Sequence, residues 1–194
     1  KVRKDLLGKV VLISGAAGSI GSELVKQVSR FKPKMLLLVD QAESPLFQLE
    51  LEQSALFPDV EARYILADVT NIERMKAIFT RFMPNYVFHA AAYKHVPMME
   101  KNPMEAIRVN VFGTRNMADL SVKYQVNKFV MISTDKAVNP SNVMGASKRF
   151  AEVYVRSLAS NTSTQFITTR FGNVLGSNGS VIPLFERQIA KGGP

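Results

Sequence analysis

The chain has no cysteine and only two histidines among its 194 residues. Without cysteine there is no disulfide framework, no thiol nucleophile and no thiolate metal ligand, a composition that suits a reducing compartment. His89 and His95 fall at a strand end and in a loop, with no carboxylate at ligand spacing, so no metal site is expected. Long apolar runs are also missing. The run at 35–39, MLLLV, is among the longest, whereas a bilayer-spanning helix needs roughly 20 such residues. No secretory leader pattern opens the sequence, and no internal repeat or low-complexity linker divides it.

Acidic residues are scarce beside basic ones, 16 against 25, for a formal charge of +9. Such a charge suits nucleic acid, an anionic membrane surface or a phosphorylated ligand. The positives are scattered, however, with one local concentration at Lys1, Arg3, Lys4 and Lys9. No zinc-finger, helix-turn-helix or basic-region pattern is present, so a phosphate-bearing small molecule is expected and nucleic acid is not. With 46% apolar and 21% charged residues, the composition is that of a soluble globular protein. The length fits one domain with ample chain for a core.

What is present is a regular alternation of strands and helices. Short apolar runs at 10–14, 35–40, 62–68, 86–89, 128–133 and 165–171 read as buried strands. Segments 19–30, 45–55, 72–82, 103–124, 143–159 and 181–190 have helical spacing, with Leu46, Leu49 and Leu56 on one face of the second. Alternation with buried strands predicts an α/β fold: a Rossmann-like, doubly wound parallel sheet with helices on both faces.

The first strand runs into Gly15-Ala16-Ala17-Gly18-Ser19-Ile20-Gly21, which opens a helix. Gly15 permits the tight turn, Gly18 lets the backbone approach a pyrophosphate, and Gly21 lets the helix pack on the strand. The N–H groups of the first helical turn, at Ser19 and Ile20, face the phosphates. Asp40 closes the second strand about 20 residues on, where a carboxylate binds the adenosine ribose hydroxyls. A nicotinamide dinucleotide is therefore expected. Asp40 favours NAD, although the small polar groups Gln41 and Ser44 could tolerate the 2′-phosphate of NADP. Asp68 and Val69, ending the third strand, are placed to meet adenine. Ala90, Ala91 and Ala92 have the small side chains that close cofactor approach requires.

Thr134-Asp135-Lys136 falls at the carboxyl end of the fifth strand, the edge where ligands bind in such sheets. A cationic nicotinamide nearby favours a neutral lysine, usable as a base. A carboxyl group in a partly dry site can hold its proton and serve as an acid. The bland alternative is a strand-end Asp–Lys surface pair. Met144 and Lys148 stand four residues apart and so share one helix face. Lys148 has three donors that suit a nicotinamide ribose, whereas the Met144 thioether can be neither acid nor base. This stretch resembles the catalytic centre of a short-chain dehydrogenase/reductase with Met in place of the usual Tyr.

Six runs together carry a narrower resemblance: 15–24, 90–97 (AAAYKHVP), 133–137 (STDKA), Asn139-Pro140, 144–148 (MGASK) and 170–177 (RFGNVLGS). They are similar to the nucleoside-diphosphate-sugar 4,6-dehydratases of bacterial polysaccharide biosynthesis, extended short-chain dehydrogenases that act on UDP-N-acetylglucosamine. Met at position 144 resembles the large, membrane-associated branch that retains configuration at C5. The resemblance implies that Lys136 is the C5 base and Asp135 the acid toward the C6 oxygen. Thr134 and Asp135 are then nearest to the O4 proton, Lys148 orients the nicotinamide ribose, and Lys94 and Asn173 face the UDP-sugar. It also implies a bound, recycled dinucleotide and a homo-oligomer when complete. The parent protein would be tethered to the cytoplasmic face of the inner membrane through segments outside this chain.

The chain begins without Met and ends straight after an amphipathic stretch, which reads as an excised piece. Residues 1–194 would be the dinucleotide-binding domain, with 172–194 the start of a substrate lobe that is mostly missing. Two alternatives stay open. A sugar 4-epimerase would share the cofactor fold but need no C5 base, and a non-catalytic dinucleotide-binding module would account for the lost Tyr.

Overall fold

The computed structural model describes residues 5–172, 174, 185 and 188–193. Six strands form one sheet: β1 (Val10–Ser14), β2 (Met35–Asp40), β3 (Ala62–Leu66), β4 (Tyr86–His89), β5 (Lys128–Thr134) and β6 (Gln165–Phe171). Their order is β3-β2-β1-β4-β5-β6, and every neighbouring pair is parallel. This is a Rossmann-like α/β fold, with the strand order reversing between β1 and β4.

The helices are α1 (Ser19–Ser29), α2 (Glu43–Leu56), α3 (Ile72–Phe82), α4 (Val96–Lys101), α5 and α6 (Val143–Leu158). Here α5 is a continuous rod of three windings, Pro103–Ala106, Ile107–Gly113 and Thr114–Lys123, joined through residues in helical conformation. The apolar strands divide their side chains between two cores by simple alternation. Leu12, Leu37 and Val39 face Phe79, Met117, Phe129 and Val155. Val11, Ile13, Leu36 and Leu38 face Val25, Val28, Leu46 and Leu49 of α1 and α2. Burial on both faces is why these strands read as near-continuous apolar runs.

Three expectations need correction. β3 ends at Leu66 and not at 68, because Asp68 turns the chain: its side chain accepts from the Thr70 N–H and its carbonyl from the Asn71 N–H. Asn71 then caps α3 by accepting from the Arg74 N–H. Leu56, the last residue of α2, lies past the packed face and is 59% exposed. Gln53 is buried instead and donates to the Ser29 hydroxyl. The expected 103–124 helix is wound more widely, as a π-helix, over Ile107–Gly113, and the short helix α4 precedes it. The expected helix at 181–190 falls mostly outside the described residues.

Candidate dinucleotide site and the Thr-Asp-Lys turn

The β1–α1 turn is built from glycines that differ in what demands them. Gly15 has φ +67, and a Cβ there would come within 2.5 Å of the Ala91 nitrogen. At Gly21 a Cβ would sit 1.9 Å from the Gly15 carbonyl oxygen. The fold itself requires both. Gly18 has an ordinary extended backbone, φ −73 and ψ 167, and a Cβ there would meet only the Gly15 oxygen, at 3.3 Å. Its bare surface therefore faces a cavity. No side chain caps α1 at this end, so the positive end of the helix dipole is presented to whatever occupies the cavity.

That cavity has a volume of about 270 Å³ and opens between the carboxyl ends of β1, β2, β3 and β4. Gly15, Gly18, Asp40, Gln41, Asp68, Val69, Ala90 and Ala91 all line it, together with Ala92 and Tyr93. Asp40 is fixed by accepting the Ala17 N–H on one oxygen (2.9 Å) and the Ala42 N–H on the other (3.0 Å). Each oxygen keeps lone-pair capacity for a sugar hydroxyl. Asp68 is oriented by the Thr70 N–H (2.8 Å) and by Arg108 Nη1 (2.9 Å). Burial pushes its pKa up, but the Thr70 and Arg108 hydrogen bonds more than reverse this and hold it below the ordinary carboxylate value. Gln41 reaches across the mouth to the Tyr93 hydroxyl, 3.3 Å away. Ser19, Ile20 and Gly21 lie in the first turn of α1. Ser44 is turned away, its exposed hydroxyl donating to Glu43.

This set of groups fits a dinucleotide: a bare glycine cradle under a helix N-terminus, a fixed carboxylate at the end of β2, and an alanine-lined wall. No Lys or Arg is among the described lining residues.

The second cluster follows β5. Residues Asp135–Ala137 make a single tight helical turn. The Thr134 hydroxyl accepts from the Lys136 N–H (3.3 Å) and donates to Asp135 Oδ1 (2.9 Å), and Lys136 Nζ meets the same oxygen at 3.2 Å. The turn is seated on α6. A Cβ on Gly145 would be 2.2 Å from the Lys136 carbonyl oxygen, and Asn142 caps the helix by accepting from the Gly145 N–H. In a partly dry site the Asp135 carboxyl could hold its proton. The structure differs: its side chain is 56% exposed, and the Thr134 and Lys136 hydrogen bonds hold it ionised, below the ordinary carboxylate value.

Met144 and Lys148 are both buried, as one shared inward face requires. Met144 packs with Met99 and Ala106. Lys148 donates to the Ile132 carbonyl (2.8 Å). Burial brings its pKa down to about 8, opposed by Glu152 one turn on. His89 is fully buried between the Ser14 hydroxyl (2.7 Å from Nδ1) and Thr114 Oγ1 (3.0 Å from Nε2). Because Thr114 gives its own proton to the Asn110 carbonyl, Nε2 carries the ring hydrogen. Burial and the charge of Lys148 hold the ring neutral, with a pKa of about 3. No metal-binding cluster occurs among the described residues.

Lys94 is exposed in the loop before α4, and Asn173 lies outside the described residues. Sequence reading overlooked several groups that shape the site. Asn110, inside the widely wound segment, clamps Tyr93 by accepting its N–H (2.8 Å) and donating to its carbonyl (3.0 Å), and also donates to Ser147. Arg108 was missed as well, and Gly145 figured only as a member of the 144–148 run, without its role as the seat of the turn. Asn110 carried one signal, a buried amide in the middle of an apolar helical stripe. The others carried none that spacing could reveal.

Fold and site together define a Rossmann-like protein of the short-chain dehydrogenase/reductase type. Residues 11–194 match the family model described as "Polysaccharide biosynthesis protein", and the chain belongs to that family. It is 51% identical over its whole length to "Capsular polysaccharide biosynthesis protein CapD" of Staphylococcus aureus, of which it spans 33%. Over 95% of the chain it is 39% identical to "UDP-N-acetylglucosamine 4,6-dehydratase (inverting)" of Campylobacter jejuni, spanning 55% of that protein. The solved structure of Pen from Bacillus thuringiensis superposes with a TM-score of 0.88 at 38% identity, over 96% of this chain and 56% of that one. The chain thus spans a third to about half of its relatives. No helix among the described residues is long and apolar enough to cross a membrane.

Proposed function

We propose that the chain is the dinucleotide-binding and catalytic part of a nucleotide-sugar 4,6-dehydratase that converts UDP-N-acetylglucosamine to a UDP-4-keto-6-deoxy sugar with retention at C5. The observation that carries this reading is the hydrogen-bonded Thr134–Asp135–Lys136 turn, an acid–base set seated beside a buried Met144. The chain's similarity to the Campylobacter dehydratase supports the same substrate class.

Gly15, Gly18 and Asp40 would hold a nicotinamide dinucleotide, which would supply reversible hydride transfer, from C4 of the sugar and later to C6. The residues then handle protons. The ionised Asp135, joined to the Thr134 hydroxyl, takes up the O4 proton as C4 becomes a ketone. The ketone acidifies C5, and Lys136, entering the cycle as the free amine that a nearby cationic nicotinamide would favour, removes that proton. Asp135 delivers its acquired proton to O6, and the C6–O bond breaks to release water. Lys136 returns its proton to C5 as C6 is reduced. One water is lost, no outside acid or base is consumed, and Met144 need do nothing. Asp40 supports NAD as the cofactor, since a 2′-phosphate beside its carboxylate would meet like charge, with no cation among the described lining residues to offset it.

The test is to incubate the full-length protein with UDP-N-acetylglucosamine and identify the product by NMR. A 4-keto-6-deoxy sugar with retained C5 is expected. A C4 epimer, or cofactor binding with no product, overturns the reading.

A further inference from the structure

One buried ionic group has no part in that chemistry. Glu152 of α6 is 5% exposed. Its Oε1 accepts from the Ser133 hydroxyl (2.6 Å) and Arg170 Nε (2.8 Å). Its Oε2 accepts from Arg170 Nη2 (2.5 Å) and Arg149 Nη1 (3.2 Å). A buried ion pair is a poor source of stability, because desolvation offsets most of the Coulombic gain. Its partners here point to a different use.

Ser133 directly precedes Thr134–Asp135–Lys136, and it pairs in register with Arg170 of β6. The next pair is Thr134 with Phe171. Gly172 follows, where a Cβ would be 3.5 Å from Asp135 Oδ2. One turn earlier on α6, Lys148 holds the carbonyl of Ile132. Successive turns of α6 therefore grip successive residues of β5, and the second grip extends to the end of β6.

We propose that Glu152 is a positioning residue: by locking the carboxyl ends of β5 and β6 to α6, its carboxylate sets where Asp135 and Lys136 stand relative to the substrate. The placement of the turn stands on the geometry alone, and its catalytic consequence rests on the dehydratase reading above.

The experiment uses the full-length, dinucleotide-loaded protein and its Glu152→Gln and Ser133→Ala variants. Backbone hydrogen exchange over 132–138 and 165–172 is followed by mass spectrometry, alongside turnover of UDP-N-acetylglucosamine per loaded site. In Glu152→Gln, exchange at 132–138 should rise about tenfold or more while β1 and α1 stay unchanged. Its kcat should fall by roughly 10–100-fold with KM within about twofold, as expected when reacting groups are misplaced by a fraction of an ångström to an ångström. Ser133→Ala, which leaves the Glu152–Arg170 pair, should loosen 132–138 and leave 165–172 as it was. Unchanged exchange at 132–138 in these variants overturns the proposal, and so does faster exchange with normal kcat. If Glu152→Gln does not fold, Ser133→Ala decides alone. If the wild type does not act on UDP-N-acetylglucosamine, the dehydratase reading fails and exchange alone decides the positioning role.

Discussion

Gly145 lies so close to Lys136 that a Cβ on the glycine would stand 2.2 Å from the lysine carbonyl oxygen. The first turn of α6 is thus the seat of the acid–base turn. In Gly145→Ala, either the helix or the turn must move. Overpacking of this kind costs about 1–3 kcal/mol. A lowered Tm and loss of most turnover in the full-length protein are expected, with dinucleotide affinity close to normal because the glycine cradle is on the other side of β4. Normal turnover in this variant would show that the contact is not needed.

Lys136→Ala and Asp135→Asn should each abolish formation of the 4-keto product while sparing dinucleotide binding. Equilibrium dialysis of the cofactor alongside product NMR separates the two properties. Near-normal product from either variant would remove that residue from the proposed proton path.

Asp40→Asn keeps the side chain's shape and removes its charge. NAD affinity should weaken about tenfold or more, as the loss of a charge-assisted hydrogen bond of ~1.5–3 kcal/mol implies. The preference over NADP should narrow, since the like charge opposing a 2′-phosphate is gone. Calorimetric titration with both dinucleotides reads this directly, and an unchanged NAD/NADP ratio would count against Asp40 as the discriminating group.

His89 makes stability depend on pH. Its folded-state pKa is lowered from 6.5 to about 3, so below 6.5 the unfolded chain binds a proton that the folded chain refuses. Stability contributed by this group is present above 6.5 and is lost as pH falls toward 3, by about 1.4 kcal/mol per unit at most. Urea unfolding between pH 7 and pH 5 should show the decline. His89→Asn should flatten it, though at lower overall stability because the Ser14 and Thr114 hydrogen bonds are disturbed. An equal slope in the variant would assign the pH dependence elsewhere.

Much of this architecture was legible in one dimension. The strands at 10–14, 35–40 and 86–89 begin and end where the sequence places them, because strands buried on both faces stand out as short, near-continuous apolar runs closed by a polar residue. The spacing of Gly15, Gly18 and Gly21 announced a turn of close approaches. Local chemistry that competes with periodicity was harder to read. Asp68 ended β3 early through its own side chain, and the wide winding at Ile107–Gly113 looks in sequence like any amphipathic helix. Leu56 fitted an apolar stripe but lay beyond the packed face.

The sequence by itself determined the Rossmann-like alternation and the placement of Asp40 and of Thr134–Asp135–Lys136 at strand ends, since all three follow from patterns a few residues long. Only the tertiary structure decided the state of those groups. Asp135 proved exposed and ionised instead of dry and protonated, Lys148 proved buried against the Ile132 carbonyl, and Glu152 joined β5, α6 and β6 across 19 and 18 residues of chain. The reason is physical. Secondary structure answers to neighbours along the chain, whereas the charge and position of a functional group answer to solvent and to partners that only folding brings together.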